Sequence, residues 1–241
     1  MSNILEVQFS VQGRLLPADH GYSLYSAVKQ LLQSEALPES LIASFKKQFP
    51  SSENWKTEIV DYLLCPELLL SSIPGISDGH KRIQIYQRSR LRLRCPSDRA
   101  SYWYRLLQNQ VLNLRSHDIR LIQPRLILPE PSSTLRARLV TFRLEEWDTH
   151  SAPVHFLESC RKAFEKLGIS GQISIDNDVD GDLALRSLQV KGKHILGYGV
   201  IVEDLSAEDS ILLQSIGIGG RKHFGCGWFY PSREIPDVAS I

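Results

Sequence analysis

Gly217-Ile218-Gly219-Gly220-Arg221-Lys222-His223-Phe224-Gly225-Cys226-Gly227 runs into Trp228-Phe229-Tyr230-Pro231 near the end of the chain, and five of the protein's 15 glycines fall within it. Glycine tolerates positive φ and lets a backbone or a ligand approach closely. With Arg221, Lys222 and His223 adding positive charge, the stretch suits an anion such as phosphate. Its neighbours fix its place in the fold. Ser206 with Asp209 three residues on is a capping-box pattern that opens a helix. That helix ends at Gly217, and Trp228–Tyr230 is a strand. The loop therefore leads from helix to strand. Walker A and Rossmann loops run from strand to helix and set the phosphate on a helix N-terminus. The residues also disagree with both, since Cys226 stands where a Walker A lysine belongs and Lys222 where the third Rossmann glycine belongs. A helix cap at Gly217 explains one glycine, not five.

Working outward, Leu135–Phe142 reads as a strand. Leu157, Cys160, Phe164 and Leu167 give one apolar helix face stopped by Gly168. Ala184–Val190 and Ile195–Val202 are strands joined by the tight turn Lys191-Gly192-Lys193-His194. The first half has a similar order. Leu5–Val11 alternates as a half-buried strand, and Leu24, Val28, Leu31 and Leu32 recur at helical spacing. Leu37–Trp55 is helical in part, and Pro74, Gly75 and Gly79 mark a loop or hairpin. Arg82–Arg94 alternates with period two, Asp98–Gln110 is a helix, and a strand over about Ile119–Leu128 closes the half. Pro129-Glu130-Pro131-Ser132-Ser133 reads as a linker. The expectation is an α+β chain of two tandem ferredoxin-like β-α-β-β-α-β domains, residues 1–130 and 131–241.

Composition excludes several classes. A 42% hydrophobic and 23% charged chain of 241 residues is ordinary for a globular protein. No apolar run nears the roughly 18 residues of a membrane span, and the N-terminus lacks the pattern of a signal peptide. Cys65, Cys95, Cys160 and Cys226 form no CxxC pair, which argues against zinc and against a disulfide framework. A reducing cytoplasm follows as the expected compartment. The net charge of +1 hides an asymmetry: residues 81–143 carry 14 Lys/Arg against 3 Asp/Glu, a local excess of +11. A polyanionic partner relieves such self-repulsion.

Three further motifs bear on chemistry. Arg88, Arg90, Arg92 and Arg94, with Tyr86, fall on one face of the expected strand, and arginine forks suit phosphate and base stacking. A solubilising surface face is the plainer alternative, but mixed charges would serve it equally. Asp19-His20-Gly21-Tyr22 precedes the first helix, where the positive helix end favours a neutral imidazole able to take a proton. Asp176–Asp182 opens like a calcium loop, but Ser187 replaces the bidentate glutamate, and an acidic hairpin loop is expected instead of a metal site.

The C-terminal stretch has Gly-hydrophobic-Gly, five residues containing Arg and Lys, then Gly-hydrophobic-Gly. It resembles the RNA-binding glycine-rich loop of the CRISPR-associated repeat-processing endoribonucleases. Leu16-Pro17-Ala18-Asp19-His20-Gly21-Tyr22 is similar to the opening of one bacterial subgroup, and the likeness spans about residues 3 to 231. The resemblance implies cleavage of repeat-containing precursor RNA without metal or other cofactor, by attack of a ribose 2′-hydroxyl. The products would be a 2′,3′-cyclic phosphate and a 5′-hydroxyl. It implies His20 as general base or acid, with Tyr22 or Tyr25 orienting the ribose and His80 and His223 as alternatives. RNA contacts would fall to Arg88, Arg90, Arg92, Arg94, Gly219, Gly220, Arg221, Lys222 and His223. Repeat RNA is the expected partner, without a membrane, and effector-complex subunits or a second copy of the chain remain open. A non-catalytic RNA-binding subunit would carry the same loop. A nucleotide-binding ferredoxin-like protein is the third alternative, and it leaves the arginine strand unused.

Overall fold

Alternation sets β1 (Ile4–Gln12) at the centre of the first sheet: Val7, Phe9 and Val11 are buried, and Gln8 and Ser10 are half-buried. The computed structural model describes residues 3–34, 37–51, 53–144, 148 and 150–232. After β1 come β2 (Leu15–Pro17), α1 (Gly21–Gln33), α2 (Glu39–Gln48) and α3 (Trp55–Leu63). Short strands β3 (Leu69–Leu70), β4 (Ile76–Ser77) and β5 (Arg82–Gln84) lead to β6 (Arg90–Pro96) and α4 (Ser97–Leu107). The half closes with β7 (Val111–Asn113) and β8 (Asp118–Ile127). Its main sheet has the order β3-β6-β1-β8-β7, and every pairing in it is antiparallel. α4 covers this sheet with Trp103, Leu106 and Leu107, and α1 adds Leu24, Val28 and Leu32 to the same core.

The second half holds β9 (Leu135–Val140), α5 (Ala152–Leu167), β10 (Gln172–Ile175), β11 (Leu185–Val190), β12 (Lys193–Glu203), α6 (Ala207–Ile216) and β13 (Phe229–Pro231). The order is β10-β12-β9-β13, with β11 also on β12. Phe156, Cys160 and Phe164 of α5 join Val200, Val202 and Phe229 in a second core. Gly168 ends α5 at φ 68°, and the Ser206 hydroxyl accepts the Asp209 N–H at 3.0 Å, as the capping pattern required. The chain is thus a mixed α/β fold with two main hydrophobic cores.

Several expectations need correction. Arg82–Arg94 is not one strand. The chain turns at Gln87-Arg88, and β5 joins β2 and β4 in a separate three-stranded sheet. Ser89 causes the break: its buried hydroxyl donates to Pro74 O at 2.6 Å and accepts from Tyr86 N–H at 3.1 Å. The stretch read as helical in part holds α2, and α3 begins at its end, Trp55. In the second half, β12 takes two antiparallel partners end to end, β10 and β11, around the acidic loop. That loop closes on itself, with Asp178 Oδ1 accepting from the N–H groups of Asp180 and Asp182. The expected boundary at 241 lies outside the described residues.

Candidate nucleic-acid interface and catalytic junction

Two segments about two hundred residues apart in sequence meet. The start of α1 packs on the loop after α6: Tyr22 and Phe224 rings lie edge to face at 5.4 Å, and Tyr25 stacks on His223 at 5.5 Å and 6°. A Cβ on Gly21 would strike the carbonyl oxygen of Phe224, so glycine is what permits this contact. Leu188 of β11 lies 3.4 Å from the same point and forms a small apolar cluster with Leu139 and Cys226.

The loop's glycines serve protein packing. Gly219 has φ 79°, and a Cβ there would lie 2.6 Å from Thr141 O. Gly225 has φ 88°, and a Cβ there would lie 2.7 Å from Ser72 Oγ. Gly220 donates its N–H to Thr141 O at 2.8 Å, and its carbonyl accepts from the Thr141 hydroxyl at 3.1 Å. Gly220's amide is therefore not open to a phosphate. Lys222 Nζ donates to Ile216 O at 2.9 Å, capping α6, and burial lowers its pKa. Arg221 is the exposed cation of the loop. His223 is half-buried, its Nε2 lies 3.1 Å from Cys65 O, and burial lowers its pKa.

His20 is the N-cap residue of α1 and is 2% exposed. Its Nδ1 donates to Pro17 O at 2.9 Å, and its Nε2 accepts the Ile73 N–H at 2.9 Å. This pattern fixes the neutral Nδ1–H tautomer. Burial is the first cause of a pKa lowered to about 4, and the Arg138 and Arg115 charges push the same way. The expected neutral imidazole is present, but desolvation rather than helix position dominates it. In this conformation no ring nitrogen is open to a ribose. His80 sits in the exposed β4–β5 turn, and β5 pairs with β2 just ahead of His20.

The four arginines part company. Arg88 is exposed in the turn before β6. Arg90 and Arg92 are half-buried on β6, opposite Ser10 and Gln8 of β1. Burial and the nearby Arg125 and Arg92 charges lower the Arg90 pKa, the mark of a concentrated cationic face. Arg94 corrects the expectation of RNA contact. It is 2% exposed, with Nε 2.9 Å from Glu6 Oε2 and Nη1 donating to Gln214 O at 3.0 Å and Phe229 O at 2.6 Å. Its guanidinium also lies 4.0 Å from the Trp228 ring centre. Arg94 ties the first sheet to α6 and β13. Beside it a groove of about 770 Å³ runs past Gln8, Arg92, Ile127 and Thr134.

Arg115, Arg138 and Arg186 were not singled out in the sequence, and Asp19 was quoted there without a role of its own. Asp19 accepts the Gln189 N–H, so it ties the segment before α1 to β11. Burial raises its pKa against the lowering pull of Arg115, Arg138 and His194. The alternation Arg136-Ala137-Arg138 was a signal of the same kind as the arginine strand.

Known folds share this architecture. A Cas6-related structure from Pyrococcus furiosus covers 96% of this chain and 99% of its own at 15% identity, with a TM-score of 0.60. A solved RAMP protein binding different RNA substrates covers 94% and 98% at 13% identity, with a TM-score of 0.61. At such identities the likeness defines the class of fold, that of the Cas6-related and RAMP proteins. The family model described as Cas6 Crispr matches residues 5–234, so the chain belongs to the Cas6 family, as the loop and the Asp19–Tyr22 segment indicated. The CRISPR-associated endonuclease Cas6 of Myxococcus xanthus (strain DK1622) is 28% identical over 238 residues, covering 98% of this chain and 85% of the relative.

Proposed function

We propose that this protein is a metal-independent endoribonuclease that cleaves CRISPR precursor RNA within its repeats, acting in the cytoplasm. The observation that carries this reading is the packing of α1's first turns on the glycine-rich loop, which puts both family-like segments at one junction. The ribose 2′-oxygen attacks the adjacent phosphorus, the bond to the 5′-oxygen breaks, and a 2′,3′-cyclic phosphate and a 5′-hydroxyl remain. The 2′-hydroxyl proton goes to a base, and the leaving oxygen takes one from solvent.

His20 is assigned the base, with Tyr22 orienting the ribose. Its Nε2 keeps a lone pair held only by the Ile73 amide, and that bond must give way when RNA seats. A second reading assigns the proton to His223, favoured by its partial exposure and by an Nδ1 that makes no hydrogen bond within the described residues. Arg90, Arg92 and exposed Arg88 and Arg221 are proposed to hold the RNA backbone. Residues 1–130 and 131–241 are taken as two ferredoxin-like domains. The antiparallel orders β3-β6-β1-β8 and β10-β12-β9-β13 support this, because each is the order that β-α-β-β-α-β connections produce.

Single-turnover cleavage of repeat RNA by His20→Ala and His223→Ala separates the two assignments. His20→Ala is expected to slow cleavage by about 10²-fold or more with RNA affinity retained. Wild-type cleavage by His20→Ala, with the loss appearing in His223→Ala, transfers the role to His223.

A further inference from the structure

Arg138 of β9 and Arg186 of β11 lie on either side of β12, where that strand offers Gly197 and Gly199. Arg186 pairs with Gly197, and a Cβ on Gly199 would lie 3.5 Å from Arg138 O. Tyr198 and Val200 of β12 turn into the core, so no β12 side chain of any size separates the two arginines. Two strand spacings put their Cα atoms roughly 10 Å apart, within the combined reach of two arginine side chains.

Neither arginine is satisfied as its neighbours are. Arg136, one turn of the alternation away, has Asp176 at 3.2 Å and the Ser232 hydroxyl at 3.0 Å. Arg138 Nε and Arg186 Nε are buried without a hydrogen-bond partner among the described residues. Burial and the Arg186 charge lower the Arg138 pKa. The carboxylate beside Arg138 is Asp19, which already accepts the Gln189 N–H and also faces Arg115 and His194. Asp19 is shared between Arg138 and the exposed Arg115, and a buried donor without an acceptor, such as Nε of Arg138 or Arg186, is costly.

We propose that Arg138 and Arg186, with Arg115 beside them, seat a single phosphodiester of the RNA, the one that is cut. The proposal rests on the endoribonuclease reading above. A phosphodiester supplies the missing acceptor oxygens in the planar fork geometry that guanidinium prefers. Arg115 and Arg138 both act electrostatically on His20, so a phosphate seated there lies near the assigned base. The extra negative charge of the pentacoordinate phosphorus then develops where positive charge is already fixed. The second half of the chain would thus contribute to the chemistry as well as to binding.

Arg186→Gln and Arg138→Gln test this by thermal melting and by cleavage. Without phosphate, Arg186→Gln should melt at or above the wild-type temperature, since the like charge beside Arg138 is removed. Inorganic phosphate should raise the wild-type melting temperature and leave both variants unmoved. Cleavage at saturating RNA should fall by about 10²-fold or more in each, with Arg186→Lys intermediate. A lowered melting temperature in Arg186→Gln, a phosphate response retained in both variants, or wild-type cleavage rates would overturn the seat. If the wild type itself cuts no repeat RNA, the nuclease reading fails while the phosphate melts still decide the seat.

Discussion

Burial fixes the ionisation of His20, and stability must answer for it. Its folded pKa of about 4 lies below the ordinary imidazole value of 6.5. An unfolded chain therefore takes up a proton that the native state refuses as pH drops below 6.5. This contribution is fully present above 6.5, declines through the interval, and is gone near pH 4. It is worth about 3 kcal/mol at 1.36 kcal/mol per unit. Urea unfolding from pH 7.5 to 4 should show that slope, and His20→Asn should flatten it. A slope unchanged in His20→Asn would assign acid lability to other groups. Arg94 poses the opposite case to Arg138: the same residue type, buried, but with Glu6 and two carbonyls as partners. Arg94→Leu leaves the buried Glu6 carboxylate to Arg92 at 3.8 Å and strips the Gln214 and Phe229 carbonyls of their donor, and should destabilise by about 3 kcal/mol or more. The check is equilibrium unfolding. Stability at the wild-type level would deny the buried tie.

The contact between α1 and the glycine-rich loop depends on one missing methyl group. Gly21→Ala places a Cβ on the Phe224 carbonyl, so α1 and the turn Lys222–Phe224 must separate. A loss of about 1–3 kcal/mol is expected from such overpacking, together with slowed cleavage. Melting curves and rates measured on the same sample test both, and an unaffected variant would show that the two elements move independently. Much of this element scale was legible in sequence. The periodicity of Leu24, Val28 and Leu32, the Ser206–Asp209 cap and the Gly168 stop each report local chemistry, and each appears where expected. The break at Ser89 was not legible, because period two continues across it while the cause is a hydrogen bond to distant Pro74. Nor were the fates of the glycines. Positive φ and small size could be inferred, but that they serve contacts to Thr141 and Ser72 is a tertiary fact. The arginines divide for the same reason, since alternation shows a shared face and not what covers it.

At the scale of the molecule, the two main sheets, each with its own core, are held by Arg94 on one side and by Asp19, Gly21 and Phe224 on another. The basic block in sequence is thereby split between β6, β8 and β9, with Arg94 withdrawn into the tie and Arg90, Arg92 and Arg125 left to the sheet face. Such an arrangement suits a polyanion laid across both halves, with cutting near the α1 junction. A non-catalytic RNA-binding subunit would bind with similar salt dependence and yield no product. Incubating the protein with repeat RNA in excess EDTA, then analysing the product ends, separates these directly. Cleavage is expected at one position within the repeat, leaving a 2′,3′-cyclic phosphate and a 5′-hydroxyl, and none when the attacking ribose is 2′-deoxy. Activity lost in EDTA and restored by a divalent cation, or cleavage of the 2′-deoxy substrate, would contradict this mechanism.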